Sequence, residues 1–174
     1  MKKRKRHKVK KLMERTTIPT RVFIHGLDSS SQGAKGAFFK EHYPGMLVED
    51  FFGPFAARMA KLTTLLAGRE DLLLVGSSYG GLMAAVFACG MAQKMRRLIL
   101  LAPALNHMPP EMCGQTVLDV PTLLYHGAQD EVVPPGPVYE IAQNLFRDLT
   151  YHLVQDDHSL HHTFFTMNWD ELLS

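Results

Sequence analysis

The sequence predicts an α/β fold, with a mainly parallel, six-stranded sheet between two layers of helices. Short apolar runs alternate with helical stretches along the chain, as in proteins whose parallel strands are joined by right-handed crossovers. One apolar run, residues 72–75, leads directly into a glycine-rich turn and an apolar helix. The 174 residues are 46% hydrophobic and 21% charged, and a chain of this length buries roughly 70% of its unfolded surface around one core. We therefore expect a single domain over residues 18–174.

The strands and helices follow from this alternation. Strands are expected at about residues 21–25, 46–49, 72–75, 97–101, 121–125 and 150–154, and helices near residues 34–42, 54–67, 80–92, 136–147 and 160–173. The third strand is a continuous apolar run, which is typical of a parallel strand buried on both faces. The third helix is apolar nearly all round, as expected of a helix in the middle of a domain. Ligands bind beyond the carboxyl ends of such strands, so the loops that follow them are the candidate sites.

The loop after the third strand has the pattern of a nucleophile elbow. Residues 76–81 are Gly-Ser-Ser-Tyr-Gly-Gly, a G-x-S-x-G turn that places Ser78 at the apex between strand and helix. Gly76 and Gly80 flank the serine, and we expect them where the two arms of the turn come too close for a Cβ atom. An ordinary Gly/Ser loop is the alternative for the pattern alone, but the buried strand before it and the apolar helix after it favour the elbow.

The loop after the first strand is a candidate for half of an oxyanion hole. Residues 25–33 are rich in glycine and serine, so that backbone N–H groups can point inward. A tetrahedral acyl-transfer intermediate carries a negative oxygen that needs preorganised donors. We expect these donors to be the N–H groups of Leu27 and of Tyr79, the residue after the nucleophile. A phosphate-binding loop is disfavoured, because neither G-x-G-x-x-G nor G-x-x-x-x-G-K-[ST] is present.

The loop after the fifth strand, residues 126–134, supplies a candidate acid. A carboxylate at this place can accept a hydrogen bond from an imidazole and hold it in one tautomer. Asp130 is the predicted orienting residue; the alternative for it is a turn or helix cap. Glu131 is expected to be solvated, and His126 to pack and hydrogen-bond within the loop.

The loop after the last strand, residues 155–162, supplies a candidate general base. A serine hydroxyl is inert at neutral pH without a base in reach, and imidazole has a suitable pKa. His158 lies before the final helix and is the predicted base, with His161 second and His162 on the flank of that helix. A metal site built from Asp157 and these three histidines is disfavoured, because no other segment offers obvious ligands.

The order Ser78, Asp130, His158 is the nucleophile, acid, base order of the α/β-hydrolase fold. Together with the His-Gly loop at residue 25, these motifs resemble those of α/β-hydrolase serine esterases, especially the small, lidless bacterial members, over residues 20–172. There is no room before residue 21 for the two leading strands of larger members, so the resemblance implies six strands in the order 2-1-3-4-5-6.

A second departure from the larger members concerns the segment 103–119. It is only a loop where larger relatives insert a lid domain, which implies an open site. Met108 and Met112 are candidates to line an apolar acyl pocket, although methionines that fill gaps beside the core are commoner. His107 is expected to be a surface loop residue.

These residues predict two-step acyl transfer without a cofactor, acting on a small-molecule acyl substrate. Carboxylic ester hydrolysis is the favoured activity, with thioester hydrolysis second and peptidase activity third. A non-catalytic binding module of the same fold is the alternative of a different class, because fold alone does not imply function. Such a module would not need a serine, an acid and a histidine in the loops that follow the third, fifth and last strands.

The N-terminal segment differs in charge from the rest. Residues 1–17 hold nine Lys/Arg and one acidic residue, whereas the remainder holds ten basic and sixteen acidic residues. We expect a solvated, disordered basic arm, unless translation starts at Met13. It has neither interleaved aromatic residues for base stacking nor an amphipathic face, so no role is assigned to it. The folded body is not expected to bind nucleic acid.

The remaining expectations concern compartment and cysteines. No apolar run approaches the ~20 residues that a membrane span needs, and the N-terminus lacks the apolar core of a signal peptide, so we expect a cytoplasmic protein. Cys89 and Cys113 form neither a disulfide framework nor a metal-ligand pair, and both are expected to be reduced.

Overall fold

A computed structural model describes residues 18–109, 111–114 and 116–174. The expected basic arm, residues 1–17, lies outside the described residues. The six strands are β1 (Thr20–Ile24), β2 (Leu47–Val48), β3 (Leu72–Ser77), β4 (Met95–Leu101), β5 (Thr122–Gly127) and β6 (Leu149–Val154). They form one sheet in the order β2-β1-β3-β4-β5-β6, and every neighbouring pair is parallel. The predicted sheet and its strand order are confirmed.

Helices cover both faces of the sheet. They are α1 (Ala34–His42), α2 (Phe55–Leu65), α3 (Tyr79–Met91), α4 (Pro135–Leu145), α5 (His161–Thr166) and α6 (Trp169–Leu172), with short 3₁₀ turns at Ala92–Lys94 and Leu105–His107. Alternate residues of β3 enter different cores, because successive side chains of a strand point to opposite faces. Leu72 and Leu74 pack with α2, α3 and α4, whereas Leu73 and Val75 pack with α1, α5 and α6. None of the helices described here is long and apolar enough to cross a membrane.

The last helix differs from the expected single segment 160–173. It is broken into α5 and α6 at Met167, whose backbone is extended. The indole N–H of Trp169 donates to the carbonyl of Phe164 at 2.8 Å, and the side chain of Asn168 accepts from the N–H of Glu171. These bonds end the first helix and cap the second, and they draw Trp169 into the core.

The expectation of two reduced cysteines is wrong. Cys89 of α3 and Cys113 of the loop after the 105–107 turn form a disulfide, with their Cα atoms 5.5 Å apart. The 105–107 turn packs on α3, which brings the following loop over the helix. The two residues are 24 positions apart in sequence, so their spacing alone gave no sign of the bond.

Candidate active site

The turn between β3 and α3 holds Ser78 in a strained conformation. Its backbone has φ 54° and ψ −116°, a region that non-glycine residues rarely adopt. The N–H of Ser78 donates to the carbonyl of Leu101 at 2.9 Å, and its carbonyl accepts from the N–H groups of Gly81 and Ala104 at 2.9 and 3.0 Å. Bonds to the neighbouring strand and to the loop that follows it therefore hold the serine at the apex.

The glycines around Ser78 stand where the chain leaves no room for a side chain. A Cβ atom at Gly76 would overlap the backbone of Gly80 and Gly81, on the other arm of the turn. A Cβ atom at Gly80 would overlap the carbonyl of Ile24, at the end of β1. The expected close approach of the two arms is present, and the second contact sets the elbow against the loop after β1.

The structure brings Ser78, His158 and Asp130 together. The Nε2 atom of His158 lies 3.0 Å from the Oγ atom of Ser78, and its Nδ1 atom lies 2.7 Å from the Oδ2 atom of Asp130. A carboxylate can only accept, so Nδ1–H donates to it and Nε2 is left to accept the serine proton. The side chain of Asp130 is fully buried, whereas that of His158 is 22% exposed and open to a bound molecule.

The Asp130 carboxylate is held from two sides. Its Oδ1 atom accepts the N–H groups of Val132 and Val133 at 3.0 and 2.8 Å. These bonds are the local capping that was the alternative for Asp130, and they coexist with the bond to His158. Oδ1 therefore secures the loop while Oδ2 faces the imidazole.

A second imidazole also faces this carboxylate. His126 is completely buried; its Nε2–H donates to the carbonyl of Val133 at 2.8 Å and lies 3.1 Å from the Oδ2 atom of Asp130. Its hydrogen bond within the loop was predicted, but its contact with Asp130 was not. The Nδ1 atom of His126 is buried without a hydrogen-bond partner among the described residues, and since a carbonyl can only accept, the Nε2 atom carries a proton in the bond to Val133.

The loops after β5 and β6 interlock, which sets the spacing between Asp130 and His158. Ala128 donates its N–H to the carbonyl of Val154 at 2.8 Å, and Gln129 donates to that of Asp156 at 3.1 Å. The Asp157 carboxylate accepts from the N–H and the hydroxyl of Ser159, and these bonds lower the pKa of Asp157. The turn that carries His158 is thus fastened on both sides.

The peptide between Gly26 and Leu27 lies beside the elbow. A Cβ atom at Gly26 would be 3.4 Å from the Cβ atom of Ser78. The buried His25 ring donates from Nδ1 to the carbonyl of Gly26 at 2.7 Å and accepts at Nε2 from the N–H of Phe51 at 2.8 Å. Burial lowers the pKa of His25, with further lowering by Arg58 and Lys61. The ring therefore stays neutral and keeps this one tautomer at neutral pH.

The two predicted oxyanion donors lie in the same cleft as Ser78. Tyr79 is the first residue of α3, and the first N–H groups of a helix have no partner within the helix. The N–H of Leu27 has no backbone acceptor among the described residues. Both groups are available to a ligand, and their role as oxyanion donors stays a prediction.

The cleft has a volume of about 620 Å³. Asp28, Lys35, His107 and Val132 also line it, as does His161, the second candidate for the base. Lys35 donates to the carbonyl of Ser159, and burial lowers its pKa although Asp156 and Asp157 oppose the effect. Sequence reasoning missed Lys35, at the start of α1, and assigned no role to Val132 within the loop 126–134; their position after strand ends was the only available signal.

The structure does not bring Met108 and Met112 to this cleft. Met108 lines a separate cavity of about 360 Å³, together with Cys113 and residues of α4, and Met112 is 42% exposed. His161 does lie in the cleft, but its ring packs on Phe165 with the centroids 4.9 Å apart. Among the three competing histidines, His158 is the one that contacts both Ser78 and Asp130.

Solved structures share this architecture. They include α/β hydrolase domain-containing protein 10 from mouse (21% identity, TM-score 0.69, 90% of each chain covered) and an α-β serine hydrolase homologue from Coxiella burnetii (19%, 0.66, 91% of this chain and 86% of that one). Est1E from Butyrivibrio proteoclasticus is a third (17%, 0.67, 92% and 88%). No protein-family model matches the chain, and neither does any curated protein. The protein has the α/β-hydrolase fold.

Proposed function

We propose that this protein is a serine hydrolase that cleaves carboxylic esters through an acyl-enzyme. The observation that carries the proposal is a single imidazole, His158, hydrogen-bonded to the Ser78 hydroxyl on one side and to the buried Asp130 carboxylate on the other. This arrangement supplies a nucleophile, a base and a group that orients the base, which is what acyl transfer by serine requires.

In the proposed first step, the Oγ atom of Ser78 bonds to the ester carbonyl carbon while its proton passes to Nε2 of His158. The tetrahedral intermediate collapses as the ester C–O bond breaks, and the imidazolium returns the proton to the departing alkoxide. The Asp130 carboxylate accepts the Nδ1–H hydrogen bond and stabilises the imidazolium. Water then attacks the acyl-enzyme in the same manner, and the acid leaves with Ser78 regenerated.

The negative oxygen of each tetrahedral intermediate would bind to the N–H groups of Leu27 and Tyr79. These groups are fixed before the substrate arrives, so no reorganisation is needed as the charge develops. Loss of one such donor typically costs about 10² to 10³ in rate. Leu27 and Val132, which are 50% and 68% exposed, supply apolar surface in the cleft, against which part of an acyl group can pack.

A fluorophosphonate probe tests the proposal, because it phosphonylates an activated serine and leaves an ordinary one unmodified. We expect the wild-type protein and Ser77→Ala to be labelled and Ser78→Ala to be unlabelled, with all three folded by circular dichroism. Ser77 is the matched control, since it is the adjacent serine and also lines the cleft. A well-folded wild-type protein that takes up no label contradicts the proposal and favours a binding module.

A substrate panel separates the related activities. We expect p-nitrophenyl esters to be hydrolysed with a higher kcat/KM than acyl-CoA thioesters of equal chain length. A higher kcat/KM for the thioesters would instead indicate that the same three residues catalyse thioester hydrolysis.

A further inference from the structure

Arg58 in α2 is a buried cation without an acidic partner. The residue is 4% exposed, and no carboxylate of the described residues lies within ion-pair distance of it. One of its terminal nitrogens, Nη1, is buried without an acceptor in the described part of the chain. A guanidinium stays charged at any ordinary pH, and an unpaired buried charge is costly. An apolar side chain of similar size at this position would stabilise the fold at least as well. We therefore look for a functional reason for the arginine.

The guanidinium contacts both residues that carry the proposed oxyanion donors. Its Nη2–H donates to the carbonyl of Leu27 at 3.3 Å, and its central carbon lies 5.4 Å from the centroid of the Tyr79 ring. Its Nε–H donates to the carbonyl of Gly53 at 2.8 Å, which fixes the fork just before α2 begins. Phe55 packs on the Tyr79 ring as well, with the centroids 5.7 Å apart.

These contacts constrain the direction of the Leu27 N–H. The carbonyl on one side of Leu27, that of Gly26, is held by His25. The carbonyl on the other side, that of Leu27 itself, is held by Arg58. Since a peptide unit is planar, holding both carbonyls fixes both planes that meet at the Leu27 Cα atom. Arg58 and Phe55 both contact the ring of Tyr79, the first residue of α3, and these contacts restrict the start of that helix.

We propose that Arg58 is a positioning residue that aligns the Leu27 and Tyr79 N–H groups for the oxyanion. The inference rests on the proposed function. Arg58 is absent from the lining of the cleft, so it acts through these two residues and does not touch the substrate.

The test compares Arg58→Met with the wild-type protein in ester hydrolysis. Misaligned donors weaken binding of the transition state but not of the substrate, so we expect kcat to fall by about tenfold or more while KM changes little. Affinity for a trifluoromethyl ketone, which forms a tetrahedral adduct on serine, should fall in parallel with kcat/KM. Arg58→Lys keeps the charge but lacks the fork, and we expect its kcat to lie between the two.

Arg97→Met is the matched control. Arg97 is a partly buried arginine that also donates to a backbone carbonyl, that of Leu172 at 3.0 Å, and it lies outside the cleft. We expect it to keep the wild-type kcat even if its melting temperature falls as far as that of Arg58→Met.

Three results would overturn the inference. In the first, Arg58→Met keeps the kcat and ketone affinity of the Arg97 variant. In the second, Arg58→Met does not fold and a folded Arg58→Lys shows wild-type values for both. In the third, the wild-type protein neither takes up a fluorophosphonate nor hydrolyses esters, and only this result removes the proposed function as well.

Discussion

At the scale of single residues, hydrogen bonds hold the polar side chains at the site in one orientation each. Asp130 accepts two backbone N–H groups on one oxygen and an imidazole on the other. His25 has both ring nitrogens engaged, so only one tautomer satisfies its partners. His158 donates from Nδ1 to Asp130, so its Nε2 lone pair can accept from the Ser78 hydroxyl. Each fixed group reduces the reorganisation that the reaction would need.

The proposed roles of Asp130 and His158 can be tested one residue at a time. We expect His158→Ala and Asp130→Asn each to lower kcat for p-nitrophenyl ester hydrolysis by about 10³- to 10⁴-fold, the asparagine because it stabilises the wrong imidazole tautomer. His161→Ala is the control, since its ring lies in the same cleft but packs on Phe165, and it should retain most of the activity. If His161→Ala abolishes ester hydrolysis while His158→Ala does not, the proposed base is wrongly assigned.

At the scale of elements, the site depends on how closely two loops approach. A Cβ atom at Gly127, the last residue of β5, would overlap the carbonyl oxygens of Asp156 and Asp157 in the turn that carries His158. The glycine therefore lets the Asp130 loop dock against the His158 turn. This docking sets the 2.7 Å distance between Asp130 and the imidazole.

Gly127→Ala should separate the two loops. Overpacking against backbone typically costs about 1–3 kcal/mol of stability, and a shift of about 1 Å in a catalytic group can cost about 10² in rate. We therefore expect a lower melting temperature and a kcat reduced by about tenfold or more. Gly90→Ala is the matched control, because a Cβ atom at Gly90, near the end of α3, meets nothing within 4 Å and alanine is a better helix former than glycine. Equal activity in both variants would show that the loop approach does not matter.

At the scale of the whole molecule, the parallel strands bring the loops of the site to one edge of the sheet, and a disulfide joins two segments that are distant in sequence. All six strands end at the same edge of the sheet, so loops that follow residues 24, 77, 127 and 154 meet there. The disulfide between Cys89 and Cys113 ties α3 to the loop after the 105–107 turn. Cys113 lines the second cavity, and neither cysteine lines the cleft around Ser78.

Removal of this disulfide should lower the free energy of unfolding and leave the rate of ester hydrolysis unchanged. A cross-link over a loop of this size typically contributes about 2–4 kcal/mol, mainly by restricting the unfolded chain. We expect Cys89→Ala/Cys113→Ala to lose about that much free energy of unfolding in urea and to keep its kcat. Dithiothreitol should produce the same loss in the wild-type protein and none in the double variant. A wild-type protein whose unfolding curve is insensitive to dithiothreitol would mean that the thiols are not bonded.

The fold class and the position of the candidate site could be predicted because both depend on short, local sequence patterns. Alternating apolar runs and helices fix an α/β sheet, and polar motifs directly after strands must meet at its carboxyl edge. The G-x-S-x-G turn singled out Ser78 because a strained apex needs glycine on both sides. His158 could be preferred to His161 because one precedes the final helix and the other lies within it.

What the amino-acid sequence determined by itself was therefore the α/β fold class and the loops that hold Ser78, Asp130 and His158, whereas the strand order was expected from the resemblance to α/β-hydrolases. Only the tertiary structure showed the disulfide, the break in the last helix at Met167 and the position of Met108 in a separate cavity. It also showed the contact of His126 with Asp130 and those of Arg58 with Leu27 and Tyr79. Each of these is a distance set by packing and leaves no periodic trace in the chain. Local propensity acts over a few neighbours, whereas these contacts exist only after the helices have docked on the sheet.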